Sequence, residues 1–195
     1  MAVQHDVIQD PYIHEPKGAS TASAGEIYIS DGLGSGSWAL PSTDGVGAAI
    51  SLGKTTNNTA ATTITALDTY YPVAGTFTEE DAVGMTTTVA SGRITVVTPG
   101  SYLASASLSM ISSRSTAVVC FTILVNGVQV GPRIRRKIGT GSDVGALTIH
   151  SFLPTLSTTD YIQIGVTFLT GEGGVAGDTV TIENASLISK LEISV

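Results

Sequence analysis

From residue 62 to the end of the chain, apolar and polar positions alternate over short runs, and most runs are bounded by glycine, proline, asparagine or aspartate. In "YLASASLSM", Tyr102, Ala104, Ala106, Leu108 and Met110 share one parity while Ser105, Ser107 and Ser109 hold the other. That period of two predicts a strand with one buried face. "DYIQIGVTF" puts Ile162, Ile164, Val166 and Phe168 inward, and "SLISKLEISV" sets Leu187, Leu191 and Ile193 opposite Lys190 and Glu192. "FTILVNGVQV" holds Asn126-Gly127 between two β-branched runs, which predicts a hairpin with a two-residue turn because both central residues need positive φ. "AVVCFTILV" is apolar on both parities, so one of its faces is expected to pack against a neighbouring subunit. No stretch has the period of an amphipathic helix. Many short strands without helices predict an all-β sandwich, two sheets burying alternate residues against each other.

The first 40 residues follow another pattern. "HDVIQDPYIHEPKGASTASAGEIYISDGLGSGSW" (5–38) is acidic, broken by Pro11, Pro16 and glycines, and has one strand-like piece at 26–30. It is read as an extended arm. Ordering about 40 residues costs on the order of 40–80 kcal/mol, more than its few apolar side chains return, so such an arm needs contacts with neighbouring molecules. Residues 41–61, "PSTDGVGAAISLGKTTNNTAA", are small and polar and are read as a linker to a β-domain at 62–195.

Charge narrows the partners. A net charge of −7 argues against nucleic-acid binding, which needs cations to displace phosphate counterions. The local exception is "RIRRK", Arg133–Lys137, with four of the nine basic residues, read as a solvated or salt-bridged strand edge. No segment approaches the ~20 apolar residues of a membrane helix, and the N-terminus lacks a signal-peptide pattern, so synthesis and folding in a cytoplasm are expected. In that compartment the sequons at Asn57 and Asn184 carry no modification. Cys120, the single cysteine, reads as a small core hydrophobe.

"SGRITVVTPGSYLASASLSM", "LVNGVQV", "LSTTDYIQIGV" and the terminal "SLISKLEI" together resemble, in order and spacing, the jelly-roll domain of complement-type and tumour-necrosis-factor-like proteins over residues 62–195. The departure is Thr159, which stands where the family's turn has glycine before Asp160; Gly177-Asp178 supplies a second turn of that kind. The resemblance implies a jelly-roll β-sandwich, a homotrimer, and binding in place of catalysis. "HEPKGASTASAGEIYISDGLGSGSW" resembles the leading segment of tailed-bacteriophage head-decoration or head-fibre proteins and of some receptor-binding fibres. That resemblance implies a virion-surface protein contacting the major capsid protein or neighbouring virion proteins. A tail-associated protein recognising a host surface ligand is the alternative.

The expected partner-binding residues are Tyr12, His14, Pro16, Tyr28 and Trp38; the aromatics are large rigid anchors among small residues. His5, Asp6, Asp10, His14 and Glu15 include metal-ligand types, but nothing rigid sets them at ligand spacing, so no metal is expected. "DGLGSGSW" lacks the Lys-Ser/Thr and helix of a phosphate loop, and no cofactor is expected. His150 is read as a surface or interface residue, Cys120 as inert, and the scattered carboxylates give no pair for polysaccharide cleavage. The expectation is a protein that is not an enzyme.

Overall fold

The computed structural model describes residues 22–23, 27–30, 36–39, 45–139 and 144–194. The chain divides into two units, Met1–Asp44 and Gly45–Val195. In the first, β1 (Ile27–Ser30) pairs antiparallel with β2 (Gly36–Ala39). Within the span read as an extended arm, this part is therefore a hairpin; residues 1–21 lie outside the described residues.

The second unit begins with β3 (Gly47–Leu52), β4 (Ala61–Thr63), β5 (Tyr71–Pro72), β6 (Thr78–Val83), β7 (Met85–Thr88) and β8 (Arg93–Val96). It continues with β9 (Gly100–Ser112), β10 (Val118–Val125), β11 (Val128–Gln129), β12 (Ile134–Lys137), β13 (Gly145–Leu156), β14 (Tyr161–Phe168) and β15 (Thr179–Ser194). One sheet has the order β13-β9-β15-β3-β6, with β4 beside β15; the other runs β11-β10-β14-β8-β7, with β12 beside β10 and β5 beside β14. The chain crosses between sheets repeatedly, among other places from β8 to β9, β9 to β10, β12 to β13, β13 to β14 and β14 to β15, so strands distant in sequence become neighbours. This is a jelly-roll β-sandwich.

The predicted faces are present. Tyr102, Ala104, Ala106, Leu108 and Met110 are buried, as are Ile162, Ile164, Val166 and Phe168 from the facing sheet. Each large side chain so buried contributes about 1.5–3 kcal/mol. Tyr102 also donates its hydroxyl to the Thr98 carbonyl at 2.5 Å, tying down the Pro-Gly turn. β15 stays in register over its length only by changing parity: a bulge between Ile182 and Asn184 shifts burial from Val180 and Ile182 to Ala185, Leu187 and Ser189.

Two expectations are corrected. The 41–61 linker contains β3, which lies between β15 and β6 and buries Ala48, Ile50 and Leu52, so the sandwich begins near Gly45. β3 escapes the sequence reading because "GAAISL" is short and carries only two large apolar residues, Ile50 and Leu52. The second apolar face of β10 needs no neighbouring subunit, because Cys120, Thr122 and Leu124 are fully buried within the chain. Thr122 donates to the Gly131 carbonyl at 3.1 Å, and Leu124 seats against Gly165, where a Cβ would come within 2.7 Å of it.

The Asn126-Gly127 turn has φ 53° and 78°, as the hairpin requires. It is fastened to the next turn by Asn126 Nδ2 donating to Asp160 Oδ1 at 2.7 Å and by Tyr161 N donating to Asn126 Oδ1 at 3.1 Å. Beside it, Thr159 has φ 79°, which explains why the resembled family has glycine there. Thr159→Gly is expected to raise stability by about 0.5–1 kcal/mol, since relief of the left-handed strain exceeds glycine's extra entropy loss. Urea denaturation checks this; a lower midpoint would refute it.

Candidate functional site

In the N-terminal hairpin, register puts Tyr28 directly opposite Trp38. Their ring centroids are 5.5 Å apart with planes at 63°, an edge-to-face pair worth ~0.5–1.5 kcal/mol beyond burial. Gly36 is needed beside them, because a Cβ there would lie 2.2 Å from the Ile29 carbonyl oxygen and 2.9 Å from the Tyr28 ring. Both aromatics are half-buried and Ile29 is exposed. Two of the five expected anchors are thus brought together on one small scaffold. Tyr12, His14 and Pro16 lie outside the described residues, as do His5, Asp6, Asp10 and Glu15.

The sandwich presents the outer face of the five-stranded sheet. One register row crosses it as Thr148, Ser107, Ser186 and Ser51, on β13, β9, β15 and β3. At the end of this row Glu80 of β6 pairs with Lys54 at 2.5 Å and accepts from the Ser51 hydroxyl. The Lys54 ammonium and that hydroxyl hold the Glu80 carboxyl below its ordinary range. An open groove of about 740 Å³ lies here, its walls including Ser51, Lys54, Glu80, Ser107, Thr148 and Asn184. Farther along the same face, exposed Phe152 lies opposite exposed Leu103, and exposed Ile188 is diagonal to Leu103 across the β9–β15 pairing. Three large apolar side chains therefore share one solvent-facing patch.

At one end of the sandwich, Arg114 grips Asp178 with both ends of its guanidinium, Nε to Oδ2 at 2.6 Å and Nη2 to Oδ1 at 3.1 Å. The same carboxylate accepts from Val175 N at 2.9 Å. The Asp160 turn repeats this geometry, with Ser157 N donating to Asp160 Oδ2 at 2.7 Å. Gly177, at φ 96°, occupies the place Thr159 has in the first turn.

Reactive side chains are not assembled among the described residues. His150 is exposed opposite Ser105, on the face away from buried Ile149, as the alternation predicts. Cys120 is buried, and burial pushes its thiol up to about 11, so it is protonated and unreactive at neutral pH. No cluster of three or more His, Cys, Asp or Glu is positioned for a metal ion among the described residues. No helix among them is long and apolar enough to cross a membrane.

No protein-family model matches the chain, and no curated protein matches it. Some solved structures are similar to the chain. The globular domain of zebrafish complement 1qA is similar at a TM-score of 0.48 and 14% identity, covering 77% of this chain and 99% of that one. Eiger TNF from S. frugiperda has a TM-score of 0.48 and 14% identity over 77% of this chain and 95% of that one. Murine APRIL has a TM-score of 0.48 and 11% identity over 74% and 99% respectively.

The apolar patch and the groove were not anticipated from the sequence. Their signal was present as exceptions to alternation: Leu103 stands on the parity of Ser105 and Ser107, Phe152 on that of Thr148 and His150, and Ile188 on that of Ser186 and Lys190. A large apolar residue on a strand's polar parity marks a face awaiting cover.

Proposed function

We propose that the chain is a non-enzymatic structural protein of a bacteriophage virion, a capsid decoration protein or short head fibre. It attaches through its N-terminal segment and displays a trimeric jelly roll. The observation that carries this reading is the pairing of two units of different character. A hairpin presents two aromatics packed edge to face and suited to docking, and a sandwich carries an apolar patch of Phe152, Leu103 and Ile188 suited to self-association. Three arms on one head multiply individually modest contacts into durable attachment. The resemblance of "HEPKG" and "DGLGSGSW" to phage leading segments supports the virion context. The groove beside Lys54 and Glu80, whose walls combine Leu52, Leu108 and Leu147 with hydroxyls and the Asn184 amide, favours a second reading: a tail-associated protein that recognises a host surface glycan or protein.

Labelling intact virions with antibody raised against residues 45–195 separates these readings in the electron microscope. Label on the head supports decoration, label on the tail supports receptor binding, and absence of label from particles overturns both.

Two further outcomes are expected. Light scattering gives a trimer for the wild type, and Phe152→Glu, at a side chain 56% exposed, shifts it toward monomer without unfolding it. In competition for undecorated particles, Trp38→Ala weakens attachment about tenfold or more, whereas Asp6→Asn changes it little, because surface ion pairs are worth only ~0–1 kcal/mol. Asp6→Asn binding as weakly as Trp38→Ala would show an electrostatic anchor instead.

A further inference from the structure

The two flanks of the sandwich carry opposite charge. At one flank the strand β12 lies beside β13, and at the other β6 lies beside β7. The first bears Arg133, Arg135, Arg136 and Lys137, all exposed, in a chain whose net charge is −7. Arg135 pairs with Glu172; Arg133, Arg136 and Lys137 make no ion pair among the described residues. The opposite flank bears the exposed run Glu79, Glu80 and Asp81 on β6. Glu80 is held by Lys54, while Glu79 accepts only from the Thr87 hydroxyl and Asp81 has no ion-pair partner among the described residues.

Apolar side chains accompany the charges. Val128, Val130, Val144 and Phe152 are 65%, 50%, 50% and 56% exposed around the basic flank. Beside the acidic flank, Val97 is 47% exposed, next to Thr98, whose N–H bonds the Gly84 carbonyl between β6 and β7. Charged edge strands are commonly a defence against edge-to-edge pairing of sheets. That defence works with either sign or a mixture, and does not require cations on one flank and anions on the other. An apolar patch with a charged or polar rim has the composition of an interface.

We infer that the occupant of the basic flank is the acidic flank of a second copy of this chain, and that copies join head to tail. Neither flank suits itself, since like charges repel, so a two-fold contact through one flank is disfavoured. A heterologous contact builds a ring where its rotation closes and an open filament where it does not. The inference rests on the oligomer reading above and specifies its contacts.

The test measures the full chain by sedimentation velocity at about 0.1 M and 1 M salt, between which the screening length falls from ~10 to ~3 Å. Arg136→Glu with Lys137→Glu reverses one flank, Glu79→Lys with Asp81→Lys reverses the other, and a fourth protein carries all four changes. The expected result is a wild-type oligomer that dissociates at least about tenfold more readily in high salt, monomers from each single-flank reversal, and recovery of the oligomer in the four-change protein. Recovery excludes misfolding as the cause of the monomers. Single-flank reversals that remain oligomeric, or a four-change protein that stays monomeric while circular dichroism shows it folded, overturn the inference and leave the oligomer reading standing. A wild type that is monomeric at both salt concentrations overturns the oligomer reading itself, and this contact with it.

Discussion

Replacing Asn58 by leucine, which has similar volume, is expected to destabilise the sandwich by on the order of 3 kcal/mol. The Asn58 side chain joins three parts of the chain. Its Nδ2 donates to the carbonyls of Ala60 at 3.2 Å, Ala74 at 3.2 Å and Ile182 at 2.9 Å, and its Oδ1 accepts from Ala60 N at 3.2 Å. The backbone bond from Asn58 N to Glu183 O, 2.9 Å, survives the substitution, so the effect isolates the side chain. Leucine leaves the Ala60 N–H and the carbonyls without this partner at a half-buried site, and the uncompensated desolvation of such groups costs about 1–3 kcal/mol each, reduced wherever water can reach them. Asn58→Asp is expected to do no better, because it sets an acceptor against three carbonyls. Urea denaturation of both variants measures the cost; a loss below ~1 kcal/mol in each would mean that water replaces these bonds.

Asn58 also shows where sequence reading stops. The sheet faces were legible because burial recurs every second residue: "YLASASLSM" predicts the inward row from Tyr102 to Met110, and each member is buried. The Asn126-Gly127 turn was legible because its chemistry is local, a demand for positive φ at two adjacent positions. The segment 41–61 was not legible. Its strand is short, with only Ile50 and Leu52 as large apolar residues, and its anchoring comes from pairing with β15 and β6 and from an amide bonded to residues 16 and 124 positions away, facts about the fold that no local composition encodes. The candidate surfaces behave the same way. Tyr28 and Trp38 could be picked out singly, but their opposition across a hairpin needs the register of β1 on β2. The charge asymmetry was half-visible: "RIRRK" stands out, whereas the opposing Glu79-Glu80-Asp81 run gains meaning only when the strand order puts it at the other flank.

Acid is expected to weaken the fold partly through Asp178, and Asp178→Asn to remove that part of the pH dependence. The carboxyl is held below its ordinary value of 3.8, first by the hydrogen bond from Arg114 and then by that from Val175 N, together with the charge of the guanidinium. Its folded-state pKa is thus depressed relative to the unfolded chain. Such a group binds protons more readily when unfolded, so its contribution is fully present above the ordinary carboxylate range and is lost as pH falls through the folded value, below 3.8. The size is modest: Asp178 is 13% exposed but Arg114 is 42% exposed, and solvent screens a pair of that kind. At pH 7, Asp178→Asn is expected to cost about 1–2 kcal/mol, the value of a charge-assisted bond reduced by that screening. Asp68, whose carboxyl is likewise held low by the hydroxyl and N–H of Thr170, keeps an acid dependence of its own in both proteins. The quantity to measure is therefore the difference in unfolding free energy between wild type and Asp178→Asn, by denaturant titration from pH 7 down to about 2.5. It should be constant at neutral pH and shrink as pH drops below 3.8. A difference that stayed constant across that range would mean the Arg114–Asp178 pair makes no net contribution as a charged pair.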